Sequence, residues 1–328
     1  MQTGRFDVVI VGGSWAGLAG ALQLARARRR VLIVDARQAR NLAARSAHGI
    51  LGHDGKLPTA ILAEAHAQVL AYPSVEYREE YATRVRGASD AFEVTLWSGS
   101  TVRARRLLLA TGVSDVLPPI PGLVERWGSS VLHCPYCHGF EVAERRLGVL
   151  ATGPASIRQA LLLPDWSAHV TLFTNGARIL DATQEAGLAA RGVRLEPRRI
   201  ASLVGRTPAL GAIRLVDGDE VPLDALFTTP RTRLACPLAE QLGCALEEGP
   251  SGPLVRSDER QETTVPGVYV AGDAARASHS VSWAAADGVT AGIAAHQSLA
   301  LSTDAGLRGN GDVSDGRPML TIGRAPCG

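Results

Sequence analysis

The sequence predicts an α/β protein with two domains, the second inserted into the first. Residues 6–35 and 146–173 each contain a short apolar strand, a glycine-containing turn, an Ala/Leu-rich helix pattern and a second apolar strand. This order is typical of a β-α-β unit. Because a further apolar strand and helix pattern follows over residues 267–301, we expect two Rossmann-like dinucleotide-binding domains, one within the other.

The remaining elements follow in order along the chain. Residues 83–109 alternate apolar and polar side chains around two turns, which predicts a small antiparallel meander. A proline- and glycine-rich stretch, residues 113–130, is predicted to be a linker. A second meander is expected over residues 193–228, and residues 267–275 form a buried strand and loop before the last helix.

The predicted domain boundaries follow from this order. The first domain takes residues 1–114 and resumes over residues 245–301. The inserted domain takes residues 115–244, and a polar, glycine-rich tail over residues 302–328 is expected to be flexible.

Composition excludes several classes of partner. The net charge of the 328 residues is +2, so no electrostatic case exists for nucleic acid or an anionic membrane. No stretch approaches 18 apolar residues, and the N-terminus lacks a secretory signal pattern. Five cysteines do not make a disulfide scaffold. We therefore expect a cytoplasmic protein.

The segment GGSWAG, residues 12–17, follows a strand and opens a helix. In a dinucleotide fingerprint, Gly12 would make the tight turn and Gly17 would allow close helix–strand packing, while Ser14 stands at the middle glycine position. The helix start offers free N–H groups to phosphate. Asp35 ends the second strand, where its carboxylate can accept hydrogen bonds from ribose hydroxyls. For this motif alone, a glycine-rich turn without a ligand is the alternative.

Two further motifs end apolar strands in the same way. LLLATG places Ala110, Thr111 and Gly112 after one strand, and VAGDAA places Gly272 and Asp273 after another. A buried aspartate is costly unless hydroxyl or amide donors meet it. Together, the three motifs resemble those of flavoproteins with two dinucleotide-binding domains. That resemblance implies FAD as the cofactor.

The segment VLHCPYCHGFE, residues 131–141, contains the pair Cys134 and Cys137. The pair is a redox dithiol, a structural pair, or half of a zinc site, which needs about four ligands. Cys236 and Cys244 could complete a zinc site, although they are eight residues apart and zinc-binding cysteine pairs usually lie closer in sequence. The residues alone leave these alternatives open.

The position of this motif, just before the second nucleotide fold, resembles that in low-molecular-weight thioredoxin reductases. The resemblance implies that Cys137 lies next to the isoalloxazine ring and that Cys134 exchanges with substrate. His138 stands where these reductases usually carry an aspartate proton donor, and a histidine can do acid–base work near neutral pH. The resemblance also implies a homodimer, and that backbone N–H groups near Ser280 and Val281 face the flavin.

The inserted domain departs from the reductase pattern. ATGPAS, residues 151–156, keeps one of three fingerprint glycines, and Pro154 removes an N–H group from the phosphate position. Asn175 and Gly176 stand where the reductases carry arginines for a 2′-phosphate, with Arg178 the only basic candidate nearby. These departures predict a degenerate NAD(P)-type domain.

A degenerate nucleotide site together with CPYCHGFE resembles the flavin dithiol oxidases related to thioredoxin reductase. Those enzymes close disulfides in small natural products, as in the gliotoxin, holomycin and romidepsin pathways. The resemblance implies that a small-molecule dithiol reduces the Cys134–Cys137 disulfide and that electrons pass through FAD to dioxygen, with no metal involved. The rivals are a thioredoxin-disulfide reductase using NADPH or another donor, and a non-catalytic flavin sensor. Cys327, in the tail, is interpreted as a loose terminal cysteine.

Overall fold

The computed structural model describes residues 5–301; the predicted tail, residues 302–328, and Cys327 lie outside this range. The strands are β1 (Arg5–Val11), β2 (Val31–Asp35), β3 (Val75–Glu79), β4 (Ala82–Arg86), β5 (Phe92–Leu96), β6 (Thr101–Leu109), β7 (Val113–Val116), β8 (Val131–Leu132), β9 (Leu147–Leu150), β10 (Val170–Phe173), β11 (Arg194–Glu196), β12 (Ile200–Val204), β13 (Ala212–Leu215), β14 (Glu220–Pro222), β15 (Ala225–Thr228), β16 (Arg231–Leu234), β17 (Leu246–Glu248), β18 (Pro253–Val255) and β19 (Val268–Val270). The helices are α1 (Trp15–Arg26), α2 (Pro58–Leu70), α3 (Pro135–His138), α4 (Pro154–Leu162), α5 (Ala182–Ala190), α6 (Leu238–Gln241) and α7 (Val281–Leu301).

The first domain is built on a mixed sheet in the order β3-β2-β1-β6-β5-β4, with β19 also pairing with β6. β3, β2, β1, β6 and β19 run parallel, whereas β4 and β5 form the antiparallel meander. Strands β1 and β2 are almost continuously apolar because a parallel sheet is covered on both faces. The carboxyl ends of β1, β2, β6 and β19 therefore meet at one edge, which is where such sheets bind ligands.

Helices α1 and α7 cross over this sheet with their backbones in close contact at glycine positions. A β-carbon on Gly288 would lie 2.1 Å from the carbonyl oxygen of Ala16, and one on Gly292 would lie 2.6 Å from that of Gly20. Only glycine permits this approach, and it brings the N-termini of both helices to the same edge of the sheet.

The inserted domain has a five-stranded parallel sheet in the order β11-β10-β9-β15-β8 and a separate antiparallel sheet, β12-β13-β14. The chain leaves the first domain along β7 and comes back along β16, and these two strands pair antiparallel to each other. The predicted class, two Rossmann-like domains with one inserted, is confirmed.

Two details differ from the sequence-based expectations. The stretch predicted to be a linker, residues 113–130, is packed: it contains β7, and Leu123 is fully buried in the core of the inserted domain. The chain also rejoins the first core near Leu234, ahead of the boundary expected at residue 244, because Leu238 is buried among first-domain strands. Apolar side chains within a proline-rich stretch account for the first difference.

Across residues 5–301, no helix is long and apolar enough to cross a membrane.

Replacing Gly288 by alanine should destabilise the first domain. The added β-carbon meets a backbone carbonyl that cannot move without separating α1 from α7, so we expect a loss of at least about 2 kcal/mol. Gly187 lies in α5 with no atom within 4 Å of its ideal β-carbon. Gly187→Ala should therefore stabilise slightly, by about 0.5–1 kcal/mol. Thermal unfolding of both variants tests the contrast, and equal shifts would contradict it.

Candidate active site

A cavity of about 420 Å³ lies between the carboxyl edge of the first sheet and the start of the inserted domain. It brings together side chains from both domains. The predicted site residues that line it are Gly12, Ser14, Asp35, Ala110, Thr111, Gly112, Cys134, Cys137, His138, Gly272, Asp273, Ser280 and Val281. Gly17 does not line the cavity; its ideal β-carbon would lie 1.8 Å from the carbonyl oxygen of Gly12, which fits its expected packing role.

The fingerprint turn leaves the start of α1 open toward the cavity. Gly12 has φ +105°, and a β-carbon there would lie 2.2 Å from the carbonyl oxygen of Ala110, so glycine is required. Ser14 precedes the helix, but its hydroxyl makes no capping bond, so the first N–H groups of α1 are not capped by it. At the end of β2, Asp35 accepts one hydrogen bond at Oδ2, from the Tyr77 hydroxyl at 3.0 Å. These features suit a ligand with phosphate and ribose groups.

Buried polar atoms without partners support the same interpretation. Three of these atoms belong to residues that line the cavity, and none has a hydrogen-bond partner within residues 5–301: Trp15 Nε1, Asn41 Nδ2 and His279 Nε2. A buried donor left unsatisfied costs about 1–3 kcal/mol, which an oxygen-rich ligand would offset. At the start of α7, the Ser280 hydroxyl accepts only from Trp283 N, at 3.2 Å. The donor set therefore fits a flavin dinucleotide, whose acceptors are phosphate and carbonyl oxygens.

A partly buried ion cluster centred on Arg40 forms one wall of the cavity. The guanidinium donates to both carboxylate oxygens of Asp115, at 2.9 and 2.5 Å, and to Asp273 Oδ2 at 3.0 Å. Asp273 was expected to meet ligand hydroxyls; Arg40 also pairs with it. Because arginine has only donors, His279 Nδ1, 2.7 Å from Arg40 Nη1, must be an acceptor. The neutral ring then carries its proton on Nε2, which is one of the orphaned donors.

Burial keeps the histidines of this wall neutral. It lowers the pKa of His279 from its ordinary value. It also lowers the pKa of His133, next to the dithiol, to about 4, and the positive charge of Arg40 adds to that effect. Neutral imidazoles can therefore lie beside Arg40 at neutral pH.

The dithiol lies at the start of α3 and lines the same cavity. Cys134 and Cys137 form a disulfide with their Cα atoms 5.2 Å apart, and Cys134 Sγ accepts from Cys137 N at 3.2 Å. Cys236 also lines the cavity, but Cys244 is buried in the first core with its thiol against Thr263 Oγ1. Burial raises the pKa of both of these thiols. The four cysteines thus do not form one metal site, and no metal-ligand cluster occurs among the described residues.

His138 ends α3 and, like His133, lines the cavity beside the dithiol. Burial lowers its pKa, while Glu141 raises it and His48 lowers it further. The His48 ring lies edge-on to the His138 ring, with centroids 6.3 Å apart. His48 comes from the first domain, so the two rings meet across the domain boundary.

Hydroxyl groups of the protein bond to one another at the turn where the inserted domain would bind a phosphate. At the start of α4, Thr152 N donates to Ser156 Oγ at 3.0 Å, and Ser156 Oγ lies 3.0 Å from Thr229 Oγ1. Thr152 Oγ1 in turn donates to the Thr229 carbonyl oxygen at 2.6 Å. We call these three residues the hydroxyl network. Ser156 is fully buried, so its hydroxyl takes the N–H group of Thr152 from the inner side of the turn.

The position expected to recognise a 2′-phosphate is a closed turn. Asn175 has φ +51°, and its Oδ1 accepts from Ile200 N at 2.8 Å. The side-chain stem of Arg199 lies over Gly176, whose ideal β-carbon would come within 2.9 Å of it. Arg178 was expected to be the only basic residue here, but Arg199 lies at the same turn. No guanidinium replaces the reductases' arginine pair at residues 175 and 176.

Comparisons with known proteins agree with this geometry. The sequence profile described as pyridine nucleotide-disulphide oxidoreductase matches residues 6–288. The chain belongs to the pyridine nucleotide-disulphide oxidoreductase family. Thioredoxin reductase tcpT of Claviceps purpurea is 36% identical over 277 residues, covering 81% of this chain and 86% of that protein.

Solved structures of family members superpose closely on this chain. An oxidoreductase from Agrobacterium tumefaciens is 48% identical with a TM-score of 0.87, covering 91% of this chain and 99% of that one. HlmI is 38% identical with a TM-score of 0.85, covering 92% and 94%. The predicted resemblance to thioredoxin reductase-like flavoproteins is thereby confirmed.

Sequence reasoning did not single out Arg40, Asn41 or Trp15 as site residues. Arg40 lies 75 positions from Asp115 and 233 from Asp273. No local spacing rule connects residues so far apart. The sequence signal for Arg40 and Asn41 is their position five and six residues after Asp35, at the end of β2.

Removing the guanidinium at Arg40 should destabilise the protein because Asp115, whose side chain is 8% exposed, loses its partner. We expect Arg40→Met to lower the thermal midpoint by about 5–10 °C, and Asp115→Asn added to it to restore part of the loss. The control is Arg37→Met, which removes an ion pair with Glu79 whose side chains are 62% and 61% exposed. Its midpoint should move by no more than about 1 °C. Equal losses at both positions would contradict a buried cluster.

Proposed function

We propose that this oxidoreductase is an FAD-dependent dithiol oxidase that closes a disulfide in a small-molecule dithiol. The observation that carries the proposal is the hydroxyl network. It takes up the N–H group of Thr152 at the turn where a nicotinamide cofactor would place its pyrophosphate, while the Cys134–Cys137 pair shares a cavity with the flavin-type site. An enzyme that has a dithiol and a flavin site, but lacks the contacts that bind a nicotinamide nucleotide, can take its electrons from thiols instead.

The lost nicotinamide contacts can be expressed as affinity. Charge-assisted hydrogen bonds contribute about 1.5–3 kcal/mol each. Losing two of them would weaken binding by roughly two to four powers of ten, at about 1.4 kcal/mol per tenfold. The Thr152 N–H group already donates to Ser156 Oγ, so a phosphate would have to compete with that hydrogen bond.

Residues from three strand ends would hold the cofactor. The start of α1 after Gly12 would receive the pyrophosphate, and Asp35 the ribose of the adenosine half. The Asp273 carboxylate and the N–H groups following Ser280 would face the flavin half. The chemistry that FAD supplies when bound is acceptance of an electron pair from a thiol pair and its delivery to dioxygen, which becomes hydrogen peroxide.

The protein's own part of the reaction is thiol–disulfide exchange. A substrate thiolate attacks Cys134 Sγ, the Cys134–Cys137 bond breaks, and Cys137 leaves as a thiolate. The second substrate thiolate attacks the substrate sulfur of the mixed disulfide, and Cys134 leaves. The substrate has lost two electrons and two protons, and the cysteine pair holds the two electrons. His138, kept neutral by burial, is placed to accept a proton from a thiol.

The rival with the same fold is a thioredoxin-disulfide reductase, in which electrons run the other way. Its support is the name of the tcpT relative and the presence of Arg178 and Arg199 near the closed turn. By family resemblance we also propose that the protein works as a homodimer in the cytoplasm.

The purified protein should carry about one FAD per chain, because the site offers one set of dinucleotide donors. The flavin absorbance of the purified protein, compared with its protein concentration, measures this ratio.

Cysteine substitutions should show which residues carry electrons from the thiols to the flavin. Cys134→Ser and Cys137→Ser should both abolish flavin bleaching by dithiothreitol under anaerobic conditions. Cys134→Ser alone should show a long-wavelength charge-transfer band, since it leaves a thiolate at Cys137. Cys236→Ser is the matched control and should bleach normally. A charge-transfer band in Cys137→Ser and none in Cys134→Ser would mean that Cys134 is the cysteine beside the flavin. Normal bleaching in both variants would show that the dithiol is not catalytic.

The direction of electron flow should be visible with two detectors run in parallel. With a small dithiol as substrate, we expect an oxygen electrode to record consumption and a peroxidase-coupled dye to record peroxide. With NADPH or NADH, the absorbance of the reduced nicotinamide should hardly change, because the inserted domain lacks the contacts that bind the phosphates of these cofactors. Fast NADPH oxidation coupled to thioredoxin reduction, with little oxygen uptake, would establish the reductase instead.

A further inference from the structure

Two histidines from different domains meet beside the dithiol. His138 ends α3 in the inserted domain, and His48 belongs to the segment between β2 and α2 in the first domain. Their rings are edge-on with centroids 6.3 Å apart, and both residues line the cavity that contains Cys134 and Cys137.

The loop that carries His48 is held in place by packing and hydrogen bonds. Ala47 and Ile50, on either side of it, are buried against Ile61. Gly49 N donates to Asp54 Oδ1 at 2.7 Å, which closes the loop across its base. These contacts fix the backbone on both sides of His48.

Charged and polar groups face both histidine rings. His48 Nε2 lies 2.8 Å from Ser46 Oγ and 3.3 Å from Glu141 Oε1, and Nδ1 lies 3.6 Å from Asp54 Oδ1. Glu141 belongs to the inserted domain and also acts on His138, whose pKa it raises. Two carboxylates are thus present to stabilise a proton that arrives on this pair.

We propose that His48 and His138 act together as proton acceptors, one for each thiol of the substrate. The inference rests on the proposed function and extends it. Oxidising a dithiol requires two deprotonations, because each exchange step needs a thiolate nucleophile. A single imidazole would have to discharge its proton between the two steps, whereas a pair can hold both.

The balance of the two steps assigns each proton. In the first exchange, one imidazole takes the proton of the attacking thiol, the bond to Cys134 forms, and Cys137 leaves with an electron pair. In the second, the other imidazole takes the remaining proton, the substrate disulfide closes, and Cys134 leaves with an electron pair. Two protons then rest on His48 and His138, and these are the two that reduction of dioxygen to peroxide consumes.

The test is the pH dependence of flavin bleaching by dithiothreitol, measured anaerobically by stopped flow in wild type and His48→Gln. General-base catalysis contributes about 10²–10⁴-fold, so we expect a fall of roughly 10²-fold near pH 7. As the pH rises past the usual thiol pKa of about 8.5, the probe ionises unaided and the variant should recover to within about threefold of wild type. The matched control, His53→Gln, alters a histidine of the same loop that does not line the cavity, and should leave the profile unchanged.

A second variant separates proton transfer from loop structure. Glu141→Gln removes the carboxylate that raises the pKa of His138. Since the neutral ring is the active form, the acid limb of the profile should move to lower pH. If His48→Gln loses the same fraction of the rate at every pH, or loses none, His48 is not a proton acceptor and the proposal is wrong. If wild type itself is not bleached by the dithiol at any pH, the proposed function fails, and the pair fails with it.

Discussion

The ion pair between Arg40 and Asp115 underlies the arrangement of the whole site. Asp115 lies in β7, the strand along which the chain leaves the first domain, and Arg40 belongs to that domain. The pair fixes the start of the inserted domain relative to the cavity. Because Arg40 also holds Asp273 and His279, the same guanidinium orients the groups that would surround a flavin. Because the loss of hydration offsets much of the attraction in such a cluster, we interpret its role as holding this geometry.

The site divides its chemistry between the two domains. The first domain supplies open helix ends and His48, and the inserted domain supplies the dithiol, His138 and Glu141. The inserted domain keeps the parallel strands of a nucleotide-binding fold, but the hydroxyl network takes up the Thr152 N–H group at its first turn.

The sequence was sufficient for the class, both β-α-β units and the strand-end motifs, because each is a local pattern with a fixed period. It also located the dithiol and His138, since these are contiguous. It could not place Arg40 against Asp115 or His48 against His138, because such contacts depend on how the two domains meet. It treated residues 113–130 as a linker because proline and glycine concealed the buried Leu123. The contact of Ser156 with Thr229 could not be predicted either, because Thr229 follows β15, 73 residues further along the chain.

The contact between Gly128 and Ala43 has a consequence for motion. An ideal β-carbon on Gly128, in the inserted domain, would lie 2.6 Å from the carbonyl oxygen of Ala43, in the first. The two bodies therefore touch backbone to backbone beside the cavity. Rotating one body against the other would separate this contact together with the His48–His138 ring pair. Under the proposed oxidase function no nicotinamide enters, so a catalytic cycle needs no such rotation and one conformation can serve every step.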